Sequence, residues 1–322
     1  MKILVSGATG FLGGHLVRHL ARRGDEVIAL GRDREKLETL RPFCSGLTAC
    51  DLARPVEVSW PGIDAVVHAA ALSSPWGRHD AFRRANIDGT RHMIELARAS
   101  GARRFVLISS PSVYFRFADQ YDVAESTPLP KPVNAYAATK RQAELLTLAA
   151  TDLDPVILRP RGLYGRGDTA LLPRLRKAAL SGPLPLLRGG RAATDLTHID
   201  DVVSAVLAAL SAPTDLPQRV FNISGGEALP VRRIAEAAAR RSGITPRWRS
   251  LPITPVLAAA RLSEMVCRTL PGSPEPRATA YGVGLFAYHQ TLDLSAARTW
   301  LDWRPQVDFE TGLDRTFAAE AA

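Results

Sequence analysis

Residues 2–16, "KILVSGATGFLGGHL", join a short apolar run to a glycine-rich turn and the start of an amphipathic segment. An almost wholly apolar run of this length is typical of a strand buried on both faces of a parallel sheet. Gly7, Gly10 and Gly13 follow at spacings of three, where the chain turns toward a helix. Glycines there let the backbone approach a pyrophosphate, which the helix N-terminus meets with unpaired N–H groups. The stretch therefore predicts a dinucleotide-binding fold.

The same alternation of apolar runs and helical patterns continues through the first half of the chain. Apolar runs recur at 26–30, 64–70, 104–110 and 155–160, with helical patterns at 11–23, 81–100 and 134–150. This order predicts an α/β fold with a doubly wound parallel Rossmann sheet and helices on both faces. Beyond about residue 160, prolines shorten the elements. We expect a dinucleotide-binding domain over 1–160 and a smaller, mainly helical substrate region over 161–322, from which some segments return to complete the sheet.

The composition is that of a globular protein and argues against several functions. Of 322 residues, 46% are hydrophobic and 23% are charged, and the formal net charge is +9. The basic residues are scattered along helical segments and form no block, so nucleic-acid binding is not expected. The three cysteines lack metal-ligand spacing, and no apolar stretch is long enough to span a membrane. We expect a cytoplasmic protein that has no metal site and no membrane span, and that binds a small-molecule substrate.

Gly31 and Arg32 end the second apolar run, where a carboxylate usually binds the adenosine ribose of NAD. A glycine leaves room for a 2′-phosphate, and a guanidinium binds phosphate through paired hydrogen bonds. The pair favours NADP(H) as cofactor, with NAD(H) as the alternative. The competing interpretation is that Arg32 is only a surface residue that opens the next helix.

Tyr136 and Lys140 in "NAYAATKRQAE" lie one helical turn apart and therefore share a helix face. A phenol with an ordinary pKa of about 10 is a poor acid or base at neutral pH. A neighbouring ammonium stabilises the phenolate, so we expect Lys140 to lower the pKa of Tyr136. Such a pair is common on surface helices, but here it follows the apolar run 104–110 and a loop.

The order of the glycine turn, a serine-rich strand end and the Tyr136–Lys140 pair resembles the extended short-chain dehydrogenase/reductase superfamily, the NAD-dependent epimerase/dehydratase-like proteins. The usual opening of these proteins is G-x-x-G-x-x-G. The segments "SSPSVY" (109–114), "RPRGLYGRGDTALLPRL" (159–175) and "WLDWRP" (300–305) are most similar to the 3β-hydroxysteroid dehydrogenase-like branch. This branch includes bacterial reductases of long-chain β-keto compounds. The resemblance covers nearly the whole chain and is specific for fold, cofactor and chemistry, but not for substrate.

The resemblance also implies roles for individual residues. Ser110, four residues before Tyr114, would donate a hydrogen bond to the substrate oxygen, while Tyr136 transfers the proton and Lys140 holds the nicotinamide ribose. Ser112, Trp76 and Arg161 are the expected substrate-binding residues, although Trp76 is equally well interpreted as a packing residue. The expected cofactor-binding residues are Gly7, Thr9, Gly10, Phe11, Leu12, Gly13, Arg32, Asp51, Leu52, Ala69, Ala70, Tyr136, Lys140 and Pro160.

Two departures separate this chain from the sugar-nucleotide enzymes of the superfamily. The dehydratases place an Asp-Glu pair directly after the catalytic Ser or Thr, where this chain has Pro111 and Ser112. The epimerases usually have an asparagine where Gly162 stands, and an arginine where Thr194 stands. The first departure removes the acid-base pair of the dehydratases. The second weakens the epimerase interpretation but does not exclude it, because Arg161 or Arg191 is able to compensate.

We therefore expect an NADP(H)-dependent oxidoreductase that interconverts a ketone and a secondary alcohol by hydride transfer, on a hydrophobic, steroid-like or β-keto substrate. The runner-up is a nucleotide-sugar epimerase or reductase, and the third hypothesis is a non-catalytic NADP(H)-sensing regulator. Relatives often dimerise through a helical bundle, so a homodimer is one alternative for the oligomeric state. Residues 254–270 predict a core-facing amphipathic helix, with a movable lid as the alternative.

Overall fold

Residues 1–58, 60–169 and 171–318 are described by the structure, which is a computed structural model. The strands are β1 Lys2–Ser6, β2 Glu26–Gly31, β3 Gly46–Ala49, β4 Ala65–His68, β5 Arg104–Ile108, β6 Gln120–Val123, β7 Pro155–Pro160, β8 Leu163–Tyr164, β9 Leu184–Leu187, β10 Ala193–Thr194, β11 Thr197–His198, β12 Val220–Ile223, β13 Leu229–Pro230, β14 Trp248–Leu251 and β15 Gln290–Leu292.

The helices are α1 Phe11–Arg22, α2 Arg34–Glu38, α3 His79–Phe82, α4 Gly89–Ala99, α5 Ala135–Ala149, α6 Leu171–Ser181, α7 Ile199–Ser211, α8 Val231–Arg241, α9 Ile253–Thr269, α10 Ala280–Ala287, α11 Ser295–Trp300 and α12 Phe309–Phe317. A π-helical segment, Arg83–Asp88, joins α3 to α4 without a break.

Seven parallel strands form the central sheet in the order β12-β7-β5-β4-β1-β2-β3. The chain runs outward from β1 to β3 and then crosses back to β4, which pairs with the other side of β1. The strand order therefore reverses between β1 and β4. In open α/β sheets a ligand crevice forms at such a point, beyond the carboxyl ends of the strands. The expected fold class, a doubly wound parallel sheet, is confirmed.

Alternating side chains of β1 pack into two separate cores. Ile3 and Val5 lie in the core that α1 and α7 cover. Leu4 lies in the opposite core, with Met93 of α4 and Ala143 of α5. Since successive side chains of a strand point to opposite faces, an unbroken apolar run requires an apolar layer on each side. The helices on both faces of the sheet supply these layers.

The second half of the chain adds one strand to the central sheet and supplies all strands of the smaller sheets except β6. Strand β12 pairs in parallel with β7 and extends the sheet at that edge. A four-stranded sheet has the order β13-β10-β15-β6, and two-stranded pairs join β11 to β8 and β14 to β9. The described part of this region is mainly helical, as expected, and its strands of two to four residues are too short to show a periodic pattern in the sequence.

Helix α9 occupies most of the segment for which a core-facing amphipathic helix is predicted. Its only buried side chains are Leu257 and Ala260. Leu262 and Met265 are 57% and 60% exposed, and Val266 is also exposed. The helix thus faces the core along one narrow stripe, and its other apolar side is open. Within the described ranges, no helix combines the length and apolarity needed to cross a membrane.

Candidate active site

The turn after β1 is shaped by glycines whose side-chain space is already taken by backbone. Gly7 has a φ of 69°, and a Cβ there would lie 2.6 Å from the nitrogen of Ala70. A Cβ at Gly13 would lie 2.1 Å from the carbonyl oxygen of Gly7. Gly10 is the N-cap of α1 and provides no side-chain cap, and the first turn of the helix has no acidic residue. The open N–H groups and the positive helix end fit a dinucleotide pyrophosphate.

Gly13→Ala is expected to weaken NADPH binding by about 10- to 100-fold, because the methyl group displaces the backbone of Gly7 at a cost of about 1–3 kcal/mol. The neighbouring variant Gly14→Ala is the matched control. Its methyl group meets the flexible end of Arg18 at 3.2 Å, so the turn stays in place. Fluorescence titration with NADPH measures both variants. Equal NADPH affinity in the two variants would contradict a role of Gly13 in shaping the pyrophosphate-binding turn.

The end of β2 holds a close contact between Gly31 and Thr9. A Cβ at Gly31 would lie 2.7 Å from Cγ2 of Thr9, so a larger residue there would displace that side chain. Arg32 is exposed and makes no hydrogen bond or ion pair with any residue in the described ranges. Helix α2 is capped by Asp33, which accepts a hydrogen bond from the nitrogen of Lys36 at 3.1 Å. Arg32 is therefore not needed to open that helix, and its guanidinium is available to a ligand.

The other expected cofactor residues lie on neighbouring strand ends and on α1. Asp51 follows β3, is exposed, and accepts a hydrogen bond from the nitrogen of Ala53 at 3.1 Å. Leu52 and Pro160 are buried, and Phe11 and Leu12 form the start of α1. No group of three or more His, Cys, Asp or Glu side chains in the described segments is placed to hold a metal ion.

Tyr136 lies in the first turn of α5, which Asn134 caps by accepting a hydrogen bond from the nitrogen of Ala137 at 2.8 Å. Burial raises the pKa of the Tyr136 phenol, and its hydrogen bonds with Ser73 and Ser110 act in the opposite direction. From the sequence, the Lys140 ammonium was expected to lower this pKa. The structure differs, because burial of the phenol outweighs the groups that stabilise the phenolate.

Lys140 is buried one turn after Tyr136, with its side chain directed to the end of β5. Its Nζ donates a hydrogen bond to the carbonyl oxygen of Ile108 at 2.7 Å. Burial lowers the pKa of Lys140 to about 8, and the nearby Glu144 carboxylate opposes that change. The ammonium thus lies at the carboxyl end of β5, which Ser110 follows in the chain.

The hydroxyl groups of residues 109–114 have different partners. Ser109 donates to a buried carboxylate of α5 at 2.5 Å, and Tyr114 donates to a side-chain amide of β12 at 3.0 Å. Ser112 is 2% exposed, and its Oγ has no partner in the described part of the chain. Ser110 interacts with Tyr136. Of these four groups, Ser110 is the one that the structure brings to the Tyr136 phenol.

A buried ion pair lies behind these residues. Glu144 and Arg159 are joined by two hydrogen bonds of 2.8 and 2.6 Å, and each side chain is 4% exposed. Arg159 also donates to the Tyr114 hydroxyl, whose pKa burial raises to about 12. Tyr114 donates in turn to Asn222. The network ties α5, which carries Tyr136, to the ends of β5, β7 and β12.

Arg161 and Tyr281 come from the end of β7 and from α10. Arg161 follows β7, is 8% exposed, and donates to Thr194 at 2.9 Å and to Gln290 at 2.6 Å. Burial raises the pKa of Tyr281 to about 12. The charge of Arg161 lowers this pKa, and the charge of Tyr136 raises it. Tyr281, on α10, therefore lies close to both Arg161 and Tyr136.

Trp76 connects the segment after β4 to the C-terminal end of α9 and the residues that follow it. It is 8% exposed, its indole nitrogen donates to the carbonyl oxygen of Ser273 at 2.9 Å, and the Arg268 guanidinium covers its ring at 4.8 Å. These contacts fit the packing interpretation, and a contact between Trp76 and the substrate stays a prediction.

The arrangement matches a known family along most of the chain. The model of the NAD dependent epimerase/dehydratase family matches residues 3–224. The chain belongs to this family. Two relatives are similar over nearly their whole lengths. The 2-alkyl-3-oxoalkanoate reductase of Stenotrophomonas maltophilia is 34% identical and covers 100% of both chains. The sterol-4-alpha-carboxylate 3-dehydrogenase, decarboxylating, of Schizosaccharomyces pombe is 31% identical and covers 98% of this chain and 96% of its own.

A solved structure of a UDP-glucuronic acid 4-epimerase variant from Bacillus cereus, in complex with UDP-4-deoxy-4-fluoro-glucuronic acid and NAD, has a TM-score of 0.77 to this family member. It is 25% identical and covers 98% of each chain. The expected membership of the extended short-chain dehydrogenase/reductases, near the 3β-hydroxysteroid dehydrogenase-like branch, is confirmed. The protein is an NAD(P)-dependent oxidoreductase that acts on CH–OH groups and interconverts a ketone and an alcohol.

Sequence reasoning missed two residues that this family member places close to the Tyr136 phenol, and a third that holds the neighbouring loop. Ser73 hydrogen-bonds the phenol, and Tyr281 approaches it from α10. Asn86, in the π-helical segment, accepts from the nitrogen of Leu72 at 2.7 Å and donates to Thr139 at 3.0 Å, so it holds the loop of Ser73 against α5. Ser73 follows the apolar run 64–70 at a strand end, which is the one pattern that points to it.

Proposed function

We propose that this oxidoreductase uses NADP(H) and acts on a hydrophobic 3-oxo or 3-hydroxy compound. The observation that carries the proposed chemistry is the placement of Ser73 and Ser110 at the Tyr136 phenol, with Lys140 one turn away on α5. The printed name of the bacterial relative, a 2-alkyl-3-oxoalkanoate reductase, supports a 3-oxo substrate.

In the proposed mechanism, the substrate carbonyl oxygen lies between the Ser110 hydroxyl and the Tyr136 phenol. Bound NADPH would supply the hydride that the carbonyl carbon receives. Ser110 donates a hydrogen bond to the oxygen, and Tyr136, whose raised pKa keeps it protonated at neutral pH, gives it the proton. Ser73 holds the phenol in position, and Lys140 would hold the nicotinamide ribose. In the oxidation direction Tyr136 takes the proton back.

Aromatic side chains beside the phenol support a hydrophobic substrate. Tyr281 packs edge-on against Phe115, with 4.9 Å between ring centroids, and Phe115 packs against Phe117 in the same way. A Cβ at Gly284 would lie 2.6 Å from the Phe115 ring, so α10 lies directly against these rings. Such a wall favours an apolar chain on the substrate.

The cofactor preference is tested by Arg32→Ala. We expect kcat/KM for NADPH to fall by about 10- to 100-fold, because the phosphate loses charge-assisted hydrogen bonds worth about 1.5–3 kcal/mol, while kcat/KM for NADH is unchanged. The control is Arg34→Ala, at another exposed arginine two residues later. A wild-type protein that prefers NADH, or an Arg32 variant that keeps the preference, contradicts the assignment.

A nucleotide-sugar epimerase or reductase is the second candidate, favoured by the similarity to the Bacillus cereus epimerase structure. Two experiments separate the candidates. Nicotinamide absorbance is followed while 3-hydroxydecanoate is offered with NADP⁺, and the melting temperature is measured with UDP-glucose. We expect turnover of the hydroxy acid and no thermal shift with UDP-glucose. A shift of several degrees without turnover of ketones or alcohols would overturn the proposal.

The third hypothesis, a regulator that senses NADP(H), requires binding without turnover of any alcohol or ketone in the same assay.

The division at residue 160, the homodimer and the cytoplasmic location stay predictions. Size-exclusion chromatography with light scattering measures the oligomeric state directly.

A further inference from the structure

Arg161 differs from the other buried arginines in its partners. Arg104 pairs with Asp154, and Arg159 pairs with Glu144. The described residues place no carboxylate within ion-pair distance of Arg161, whose acceptors are the neutral Thr194 and Gln290 side chains. Its second amino group, Nη2, donates to no acceptor in these ranges and is not fully enclosed by protein.

The carboxylate of Asp195 influences Arg161 only from a longer distance. Its Oδ2 accepts a hydrogen bond from the nitrogen of Leu292 at 2.9 Å, and it also hydrogen-bonds with Ser224. Burying a guanidinium without a close counter-charge is unfavourable, and burial lowers the pKa of Arg161 accordingly. An anionic group of a ligand would restore the missing partner.

The position of Arg161 places that partner close to the reacting atoms. Arg161 follows β7, which pairs with β5, and the segment after β5 carries Ser110. Tyr281 experiences the charges of both Arg161 and Tyr136. An anion on Arg161 and a carbonyl oxygen on Tyr136 therefore belong to one small region of the substrate.

We propose that Arg161 is the receptor for a carboxylate of the substrate, which makes the substrate a 3-oxo or 3-hydroxy acid; this rests on the proposed function. Thr194 holds Nε and Gln290 holds Nη1. Both contacts fix the plane of the guanidinium and leave Nη2 and one N–H of Nη1 to form paired hydrogen bonds with a carboxylate. The neutral character of Thr194 and Gln290 keeps the full positive charge available to the ligand.

The test compares 3-hydroxydecanoate with its methyl ester, each with NADP⁺. The wild type is expected to have a kcat/KM for the acid about 100-fold above that for the ester. Arg161→Met removes this preference by lowering kcat/KM for the acid alone, mainly through KM. Arg161→Lys keeps a part of it, and Arg240→Met, at an exposed arginine of α8, keeps all of it. An acid preference that survives in Arg161→Met, or a wild type that uses both compounds equally, overturns the proposal.

A binding measurement separates this proposal from the proposed function. The melting temperature of Tyr136→Phe with NADP⁺ is expected to rise with 3-hydroxydecanoate but not with the ester, and the rise is lost when Arg161→Met is added. Unchanged NADPH binding shows that the Arg161 variant is folded. If this stabilisation occurs but no alcohol or ketone is turned over, the proposed function fails and the carboxylate receptor stands. If UDP-glucose raises the melting temperature in an Arg161-dependent way and the acid does not, the proposal that Arg161 receives a carboxylate is overturned.

Discussion

Tyr136→Phe is expected to lower kcat by about 1,000- to 10,000-fold and to leave the affinity for NADPH within about threefold of the wild type. The phenol carries the proton that the substrate oxygen needs, and Ser73 and Ser110 both bind to it. A phenyl ring fills the same volume without that proton. Initial rates by nicotinamide absorbance and fluorescence titration with NADPH measure the two quantities. A variant that keeps more than about a tenth of the wild-type kcat would remove Tyr136 from the chemistry.

Tyr114→Phe is the matched control, because it removes the same hydroxyl from a tyrosine at the same edge of the sheet. The Tyr114 hydroxyl is buried between Asn222 and Arg159. Its loss leaves polar partners unsatisfied, which costs about 1–3 kcal/mol of unfolding free energy, while kcat stays close to that of the wild type. The two variants therefore lose different properties, one the turnover and the other the stability.

The elements that the sequence predicts are those buried on two faces. Strand β1 was predictable because Ile3, Leu4 and Val5 must each contact an apolar layer. The edge strand β3, "GLTA", has no such run, since three of its four residues are half-buried and Ala49 is exposed. The helical pattern 81–100 was predicted as one helix, whereas Arg83–Asp88 is π-helical, with i→i+5 hydrogen bonds that the residue types alone do not specify.

The site divides in the same way between residues that follow a motif and residues that tertiary packing delivers. Ser110, Tyr136 and Lys140 follow one another in an order that the sequence displays. Tyr281 comes from a helix near the end of the chain, and Glu144 from the buried side of α5, so the contact of each with the site depends on the packed structure. The direction in which the pKa of Tyr136 shifts could not be predicted from the sequence either, because it depends on burial.

Lys140→Met is expected to lower kcat/KM by about 100- to 1,000-fold, because it removes the proposed donor for the nicotinamide ribose and the ammonium that lies one helical turn after Tyr136. It is also expected to change how stability depends on pH. Burial lowers the pKa of Lys140 from an ordinary value of 10.5 to about 8, so the folded protein releases this proton before the unfolded chain does. The variant has no such proton.

Below about pH 8, both states of the wild type carry the ammonium, and the full cost of burying it is present. Between pH 8 and 10.5 the unfolded state binds more protons, so wild-type stability rises with pH relative to that of the variant. The difference in unfolding free energy should move in favour of the wild type by roughly 3 kcal/mol across this interval. Urea denaturation at pH 7 and pH 10 measures it, and Lys131→Met, at an exposed lysine, controls for the loss of one charge.

The two effects of Lys140→Met depend on one contact, since the hydrogen bond to the Ile108 carbonyl holds the ammonium in its buried position at the end of β5. A fall in kcat/KM together with the pH-dependent change in stability would show that Lys140 acts from this buried position. A fall in kcat/KM with a stability difference that is constant from pH 7 to pH 10 would mean that the ammonium is solvated in the free protein. In that case Lys140 reaches its working position only when the nucleotide binds.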